Sequence, residues 1–202
     1  MQNPIEKYHH GDLKAAILVR AAEIIEEKGI EALSLRAIAR DLGVSHGAPN
    51  RHYNCKADLL AALAKDGWER IRSATLTAAE QEASDDPRAK LNAMGRGFLS
   101  WALQNKSAFI SITHPDVGRH ADAELYEATE SFKQTIHEAV LAAQLVGRHP
   151  DVDPTLLALY TNAVPFGLAM LLLDPLKSTD VSDWDVDEMV GKLIDLVVPL
   201  GE

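Results

Sequence analysis

Between Ser34 and Tyr53 the chain sets out side chains suited to one chemistry, hydrogen bonding to bases and phosphates. Asn50 can pair bidentately with adenine, Arg51 with guanine or a phosphate, and the Ala48 methyl can touch a thymine methyl. His46, Gly47 and Ala48 open an expected short helix, and the last two are small enough for close approach. Ser34 and Arg36 stand on one side of that helix, and His52, Tyr53 and Lys56 on the other. Both groups suit phosphate contacts that would fix the register of a docked helix.

Other chemistries find less support. The chain has eight histidines, but His9 and His10 are adjacent and do not share a helix face, and they suit an N-terminal arm near phosphate or a minor groove. His114 and His120 have no local partner at metal-ligand spacing. No Gly-rich phosphate loop, zinc signature or Gly-x-Ser-x-Gly elbow occurs. Cys55 precedes a helix start and Lys56, a setting that can lower a thiol pKa, although an inert, partly buried thiol is the expectation. The sequence therefore predicts no catalytic residue, no metal and no cofactor. A single cysteine also excludes an internal disulfide and fits a reducing compartment.

The elements that must position these residues read as helices throughout, so the fold class is all-α, with about nine helices. Asp12 is expected to cap a first helix, in which Leu13, Ile17, Ala21, Ile24 and Ile25 recur at helical spacing until Gly29. Ser34 caps a second helix over Leu35–Leu42, and Gly43 ends it. Ser45 caps a short third helix to about His52, leaving its first amides facing outward. Lys56 opens a long fourth helix. Further helices are expected over Arg88–Gln104, Lys106–Ile112, Asp122–Val146, Asp153–Leu173, and from Ser182 or Asp183 to about Val198. No uninterrupted apolar run reaches eighteen residues, the best being Val164–Leu173, and the N-terminus lacks the apolar core of a signal peptide. A cytoplasmic protein is expected.

Leu35, Ile38, Ala39 and Leu42 give the second helix a buried face, Gly43 supplies a sharp turn, and Val44 plugs the corner. That is a helix-turn-helix, the motif that sets its second helix into a major groove, although ordinary helical hairpins share the same turn. Residues 8 to about 70 resemble the DNA-binding domain of the TetR family of transcriptional regulators. The resemblance rests on Gly29, Ser34, Ile38-Ala39, Gly43-Val44-Ser45, Gly47, Tyr53, Lys56 and Leu59-Leu60 in that order. Asn50 stands where the family usually has Tyr, Tyr53 where Phe is usual, and Pro49 occupies a helical position. The resemblance therefore carries no operator sequence with it. It implies a DNA-binding domain over 1–57 and an effector-binding and dimerisation domain over 58–202.

Charge divides along the same line. Residues 1–72 hold eleven Lys/Arg against ten Asp/Glu, whereas 73–202 hold nine against twenty, so the net charge of −10 resides in the second part. The first part can approach a phosphate backbone and the remainder is repelled by it, although an acidic surface also serves solubility. The last two helices are rich in Ala, Leu, Val and Ile and could pair with their copies in a homodimer, or fill the monomer core. The segment Val164–Leu173 resembles a Trp/His-Gly-Leu-Ala motif of one branch of the family, with Phe166 in place of the His. Trp68, Met94, Phe98, Trp101, Phe109, Tyr126, Phe132, Phe166 and Met170, with His114, Asn105 and Asn162 as polar partners, are candidates to line a cavity for a small apolar or aromatic effector, or to fill the core.

The sequence thus points to a dimeric, ligand-responsive regulator, expected to be a repressor on a pseudo-palindromic operator and released by a small molecule. The competing readings are a helical ligand carrier or enzyme without specific DNA binding, and a regulator with no ligand.

Overall fold

The computed structural model describes residues 13–174 and 185–197. Their backbone forms eight α-helices and three short 3-10 turns, so the all-α expectation holds. The expected Asp12 cap, the His9-His10 arm and the Ser182 or Asp183 cap lie outside the described residues.

Helix α1, Leu13–Lys28, buries Ile17, Ala21, Ile24 and Ile25. These recur at i, i+4, i+7 and i+8, the stripe of a helix lying on a core. Gly29 ends it with φ +80°, which costs a residue without Cβ nothing. After a 3-10 turn at Ile30–Ala32, the Ser34 hydroxyl accepts the Ala37 amide at 3.1 Å and opens α2, Leu35–Asp41. The cap is the expected one.

Helix α3, Lys56–Gln81, is the longest element, at 26 residues or about 39 Å. It starts in the N-terminal unit and ends deep in the rest of the molecule, so the expected domain boundary at 57/58 falls in its first turn. Helix α4, Pro87–Gln104, begins with the Asp86 carboxylate accepting the Arg88 amide at 2.9 Å. It crosses α3 closely at Gly97, where an added Cβ would stand 2.6 Å from the Ala78 Cβ and 2.9 Å from the Ala74 carbonyl. Helix α5 covers Lys106–Thr113. A 3-10 turn at Val117–Arg119 follows, then α6, Ala123–Leu145, capped by Asp122.

Helix α7, Pro154–Leu173, is capped by Asp153, whose carboxylate accepts the Thr155 and Leu156 amides. Helix α8, Val186–Val197, begins with the Asp185 carboxylate accepting the Glu188 amide at 2.9 Å. One continuous apolar cluster joins all of this, from Ile17 in α1 through Leu59, Phe98 and Phe132 to Ile194 in α8.

Two expectations need correction. The third expected helix is absent as an α-helix, and residues 49–51 form only a 3-10 turn. In addition, α7 is by length and composition apolar enough to cross a membrane, with a mean hydropathy of 1.9 and 22% of that window buried. Counting only uninterrupted apolar runs missed this, because Tyr160, Thr161, Asn162 and Pro165 punctuate the helix without ending it.

Candidate nucleic-acid interface

The interface is built on a small buried hub. Ile38 and Ala39 of α2 are fully buried, and Gly43 turns the chain after them with φ +67°. The Val44 amide then donates to the Ala39 carbonyl at 3.0 Å, which closes the corner. Beyond it, Pro49 is buried against α1 and α2.

Pro49 explains why this segment is not an α-helix. An α-helix starting after Ser45 needs the amide of residue 49 to reach the Ser45 carbonyl, and proline has no amide. That carbonyl instead accepts the Ala48 amide at 2.9 Å, and the next bonds, Arg51 to Ala48 and His52 to Pro49, keep the tighter 3-10 spacing. Only the Tyr53 amide, donating to the Pro49 carbonyl at 3.0 Å, restores the α-type bond. Ser45 is therefore the first residue of a turn rather than a side-chain cap.

Around this hub the expected contact residues fall into two sets. Ser34, Arg36, Ser45, His46, Gly47, Asn50, Arg51 and His52 are exposed, and Ala48 is half-buried. A Cβ added at Gly47 would meet nothing within 4 Å, so the surface there is open. Neither Arg36 nor Arg51 is engaged in an ion pair among the described residues. Their charges face solvent, where a polyanion could displace counterions.

Tyr53 and Lys56 belong elsewhere. Tyr53 is 4% exposed, its hydroxyl is buried without a hydrogen-bond partner, and burial pushes its pKa up. It is a core residue rather than a phosphate contact. The signal was in the sequence, since the related pattern usually carries the wholly apolar Phe there. The Lys56 ammonium donates to the Ile30 carbonyl at 2.7 Å and so fastens the start of α3 to the turn after α1.

The hub is also fixed from outside. Arg20 of α1 reaches Glu23 at 2.7 Å, Glu27 at 3.3 Å and Asp41 of α2 at 2.9 Å. Hydrogen bonds to these carboxylates push the Arg20 pKa up, and those from Arg20 hold Asp41 below the usual carboxylate range. No local motif joins Arg20 to Asp41 across 21 positions, and sequence reasoning missed the clamp.

Among the described residues, most of the effector candidates pack on one another. Phe98 lies 6.0 Å from Phe132, 6.3 Å from Phe109 and 6.0 Å from Phe166 by ring centroids, and Trp68 lies 5.2 Å from Phe132. With Phe109 and Phe166 at 5.2 Å, these five rings pack on one another at the spacing of aromatic pairs. Met94 and Trp101 are buried too. Tyr126 and Met170 stand apart from this packing and are 59% and 46% exposed in the protomer. Asn162 is half-buried, and the Asn105 side-chain Oδ1 accepts from Arg70 at 2.6 Å. The His114 Nδ1 accepts the Asp116 amide at 3.2 Å, which shapes a loop.

Clefts open elsewhere. One of about 500 Å³ lies between the N-terminal unit and α6, lined by groups including Tyr53, Asp58, Lys65 and His120. Another, of about 460 Å³, runs along α3 and α4 beside Trp101, over which the Arg70 guanidinium sits at 5.7 Å from the ring centroid. Both are polar in part, unlike the expected apolar cavity.

An exposed polar turn on a buried three-element hub, joined by one long helix to a larger helical body, defines a helix-turn-helix DNA-binding module fused to a second helical unit. Comparison with known proteins agrees. The model of the bacterial regulatory proteins of the tetR family matches residues 17–63. A protein of unknown function from Rhodococcus sp. RHA1 is 31% identical with a TM-score of 0.76, over 95% of this chain and 96% of that one. A regulatory protein of the tetR family from Rhodococcus RHA1 shares the fold at 21% identity and a TM-score of 0.70, over 91% and 94% of the two chains. An HTH-type transcriptional regulator of Mycobacterium tuberculosis is 27% identical over 110 residues, 54% of this chain. The match spans about half, 47%, of that curated relative's length. The chain belongs to the TetR family of bacterial transcriptional regulators.

Proposed function

We propose that this chain is a ligand-responsive transcriptional regulator that binds a pseudo-palindromic DNA operator as a homodimer, acts as a repressor and is released by a small molecule. The observation that carries the reading is the turn over residues 45–52. Its apolar residue Pro49 is buried, while Ser45, His46, Gly47, Asn50, Arg51 and His52 all face outward. In a docked complex Asn50 and Arg51 would read base edges, while Ser34 and Arg36 hold the backbone on the α2 side. Work on DNA would place the protein in the cytoplasm.

The dimer is supported by α7. Leu157, Pro165 and Ala169 are buried on one side of it. On the opposite side Leu156, Leu159, Tyr160, Met170 and Leu171 are 46–69% exposed. They recur at i, i+3, i+4, i+14 and i+15, a single stripe on a 3.6-residue helix, and Ala163 and Gly167 sit at i+7 and i+11 in its middle. A contiguous apolar face of this kind marks an association surface, and a copy of itself satisfies it in a two-fold dimer. Leu196 of α8 is exposed as well, at 78%.

Release by a ligand is supported by the course of α3. Its first residue, Lys56, is tied to the N-terminal unit, and Trp68, twelve positions on, is in the aromatic cluster. A small apolar molecule wedged among the rings would displace α3 and with it the DNA-facing turns. Coupling of this kind is reciprocal, so DNA must weaken ligand binding by the same factor.

A mobility-shift titration on duplex from the chain's own upstream region tests the reading. The expected result is two protomers per duplex and retention of the shift against excess unrelated DNA. A helical carrier or enzyme would show only weak, salt-sensitive binding indifferent to sequence.

A further inference from the structure

Three metal-ligating side chains, far apart in sequence, converge where the N-terminal unit meets the loop before α6. Cys55 precedes α3, Asp58 is in its first turn, and His120 follows the 3-10 turn at Val117–Arg119. The Cys55 Sγ lies 3.4 Å from the Asp58 Oδ1, and the His120 Nδ1 lies 3.6 Å from the same oxygen. All three donor atoms lie within 4.8 Å of one another.

These distances have a specific meaning. Zinc binds thiolate at about 2.3 Å and imidazole or carboxylate at about 2.0–2.2 Å, so in a tetrahedron the donor atoms stand about 3.3–3.7 Å apart. The Cys55–Asp58 and Asp58–His120 edges already fall in that range, and the Cys55–His120 pair stands within 4.8 Å. We propose that Cys55, Asp58 and His120 form a binding site for a borderline-soft divalent cation of the zinc class. Three protein ligands leave the fourth position to water.

The surroundings fit a cation. Asp58 and His120 line the cleft of about 500 Å³, whose wall carries five carboxylates and two lysines. That gives an entry path with a negative field. The other Asp58 oxygen, Oδ2, accepts from the Asn54 amide and the Asn54 side chain, each at 3.0 Å, which aims Oδ1 at the sulfur and the imidazole. Orientation of a ligating carboxylate by such outer bonds is the usual arrangement in metal sites. On binding, the Cys55 thiol releases its proton to solvent and its sulfur becomes a ligand, while His120 coordinates through neutral Nδ1. The bound ion would tie the start of α3, directly after the DNA-facing turn, to the loop before α6.

Cobalt(II) titration of the reduced full-length chain tests this, followed by competition with zinc. One equivalent is expected to bind with a near-ultraviolet thiolate-to-cobalt charge-transfer band that zinc abolishes. Cys55→Ser is expected to remove the band and His120→Ala to weaken binding at least about tenfold. The double variant His9→Ala, His10→Ala should change neither, and circular dichroism checks that each variant folds. Absence of the band in the wild-type chain, its survival in full strength in His120→Ala, or its loss in the His9, His10 variant would each overturn the proposal. None of these outcomes touches the DNA-binding reading, which uses other residues.

Discussion

The Arg20 guanidinium of α1 holds one carboxylate oxygen of Asp41, the last residue of α2, through Nη2 at 2.9 Å and Nε at 3.1 Å. It does so just before the Gly43 turn, so the orientation of the exposed turn depends on a contact outside the motif. Arg20 holds the Asp41 carboxyl below its ordinary value of 3.8. A carboxylate with a lowered folded-state pKa contributes stability that is fully present above its unfolded value and is lost as pH falls through the folded one. Asp41→Asn should therefore lower the melting temperature near neutral pH, and the gap from wild type should close as pH falls below the ordinary carboxylate value of 3.8 and through the lowered folded one. A gap independent of pH would mean that the charge of Asp41 is not what matters.

Tyr53 carries a buried hydroxyl with no partner. An unmet buried polar group costs about 1–3 kcal/mol, so Tyr53→Phe should stabilise the chain. For a chain of this size that is a rise of at least about 2 °C in thermal denaturation. A fall would show that the hydroxyl has a partner in solution.

Gly167 lies in the exposed stripe of α7, and a Cβ there would meet nothing within 4 Å in the protomer. Gly167→Arg should leave the monomer fold intact, since glycine inside a helix is itself unfavourable by about 1 kcal/mol. It should nonetheless place a charge in the dimer seam. Light scattering after size exclusion should read a dimer for wild type and a monomer for the variant. A variant that remains dimeric would move the interface off this face.

Much of this was legible in the sequence because local rules govern it. Ser34 as a cap, Gly29 and Gly43 as left-handed stops, and the apolar stripe of α1 follow from spacing alone. The 3-10 turn at 49–51 departs from the expected short helix because Pro49, visible in the sequence, removes the first α-type bond. It matters because the segment is too short to recover α-type bonding before Tyr53. The aromatic residues were identified but not their arrangement, since composition does not distinguish rings that line a cavity from rings that fill one. The convergence of Cys55 and Asp58 with His120 depends on how α3 and the loop before α6 pack, which no local spacing encodes.

The DNA-binding reading rests on the exposed face over residues 45–52. Fluorescence anisotropy on a labelled duplex from the upstream region, at fixed salt, tests it most directly with Arg51→Ala and Tyr53→Phe beside wild type. The expected result is a loss of about 1–3 kcal/mol, roughly tenfold to a hundredfold in affinity, for Arg51→Ala, and wild-type affinity for Tyr53→Phe. Equal affinity of wild type for an unrelated duplex, together with no effect of Arg51→Ala, would contradict it.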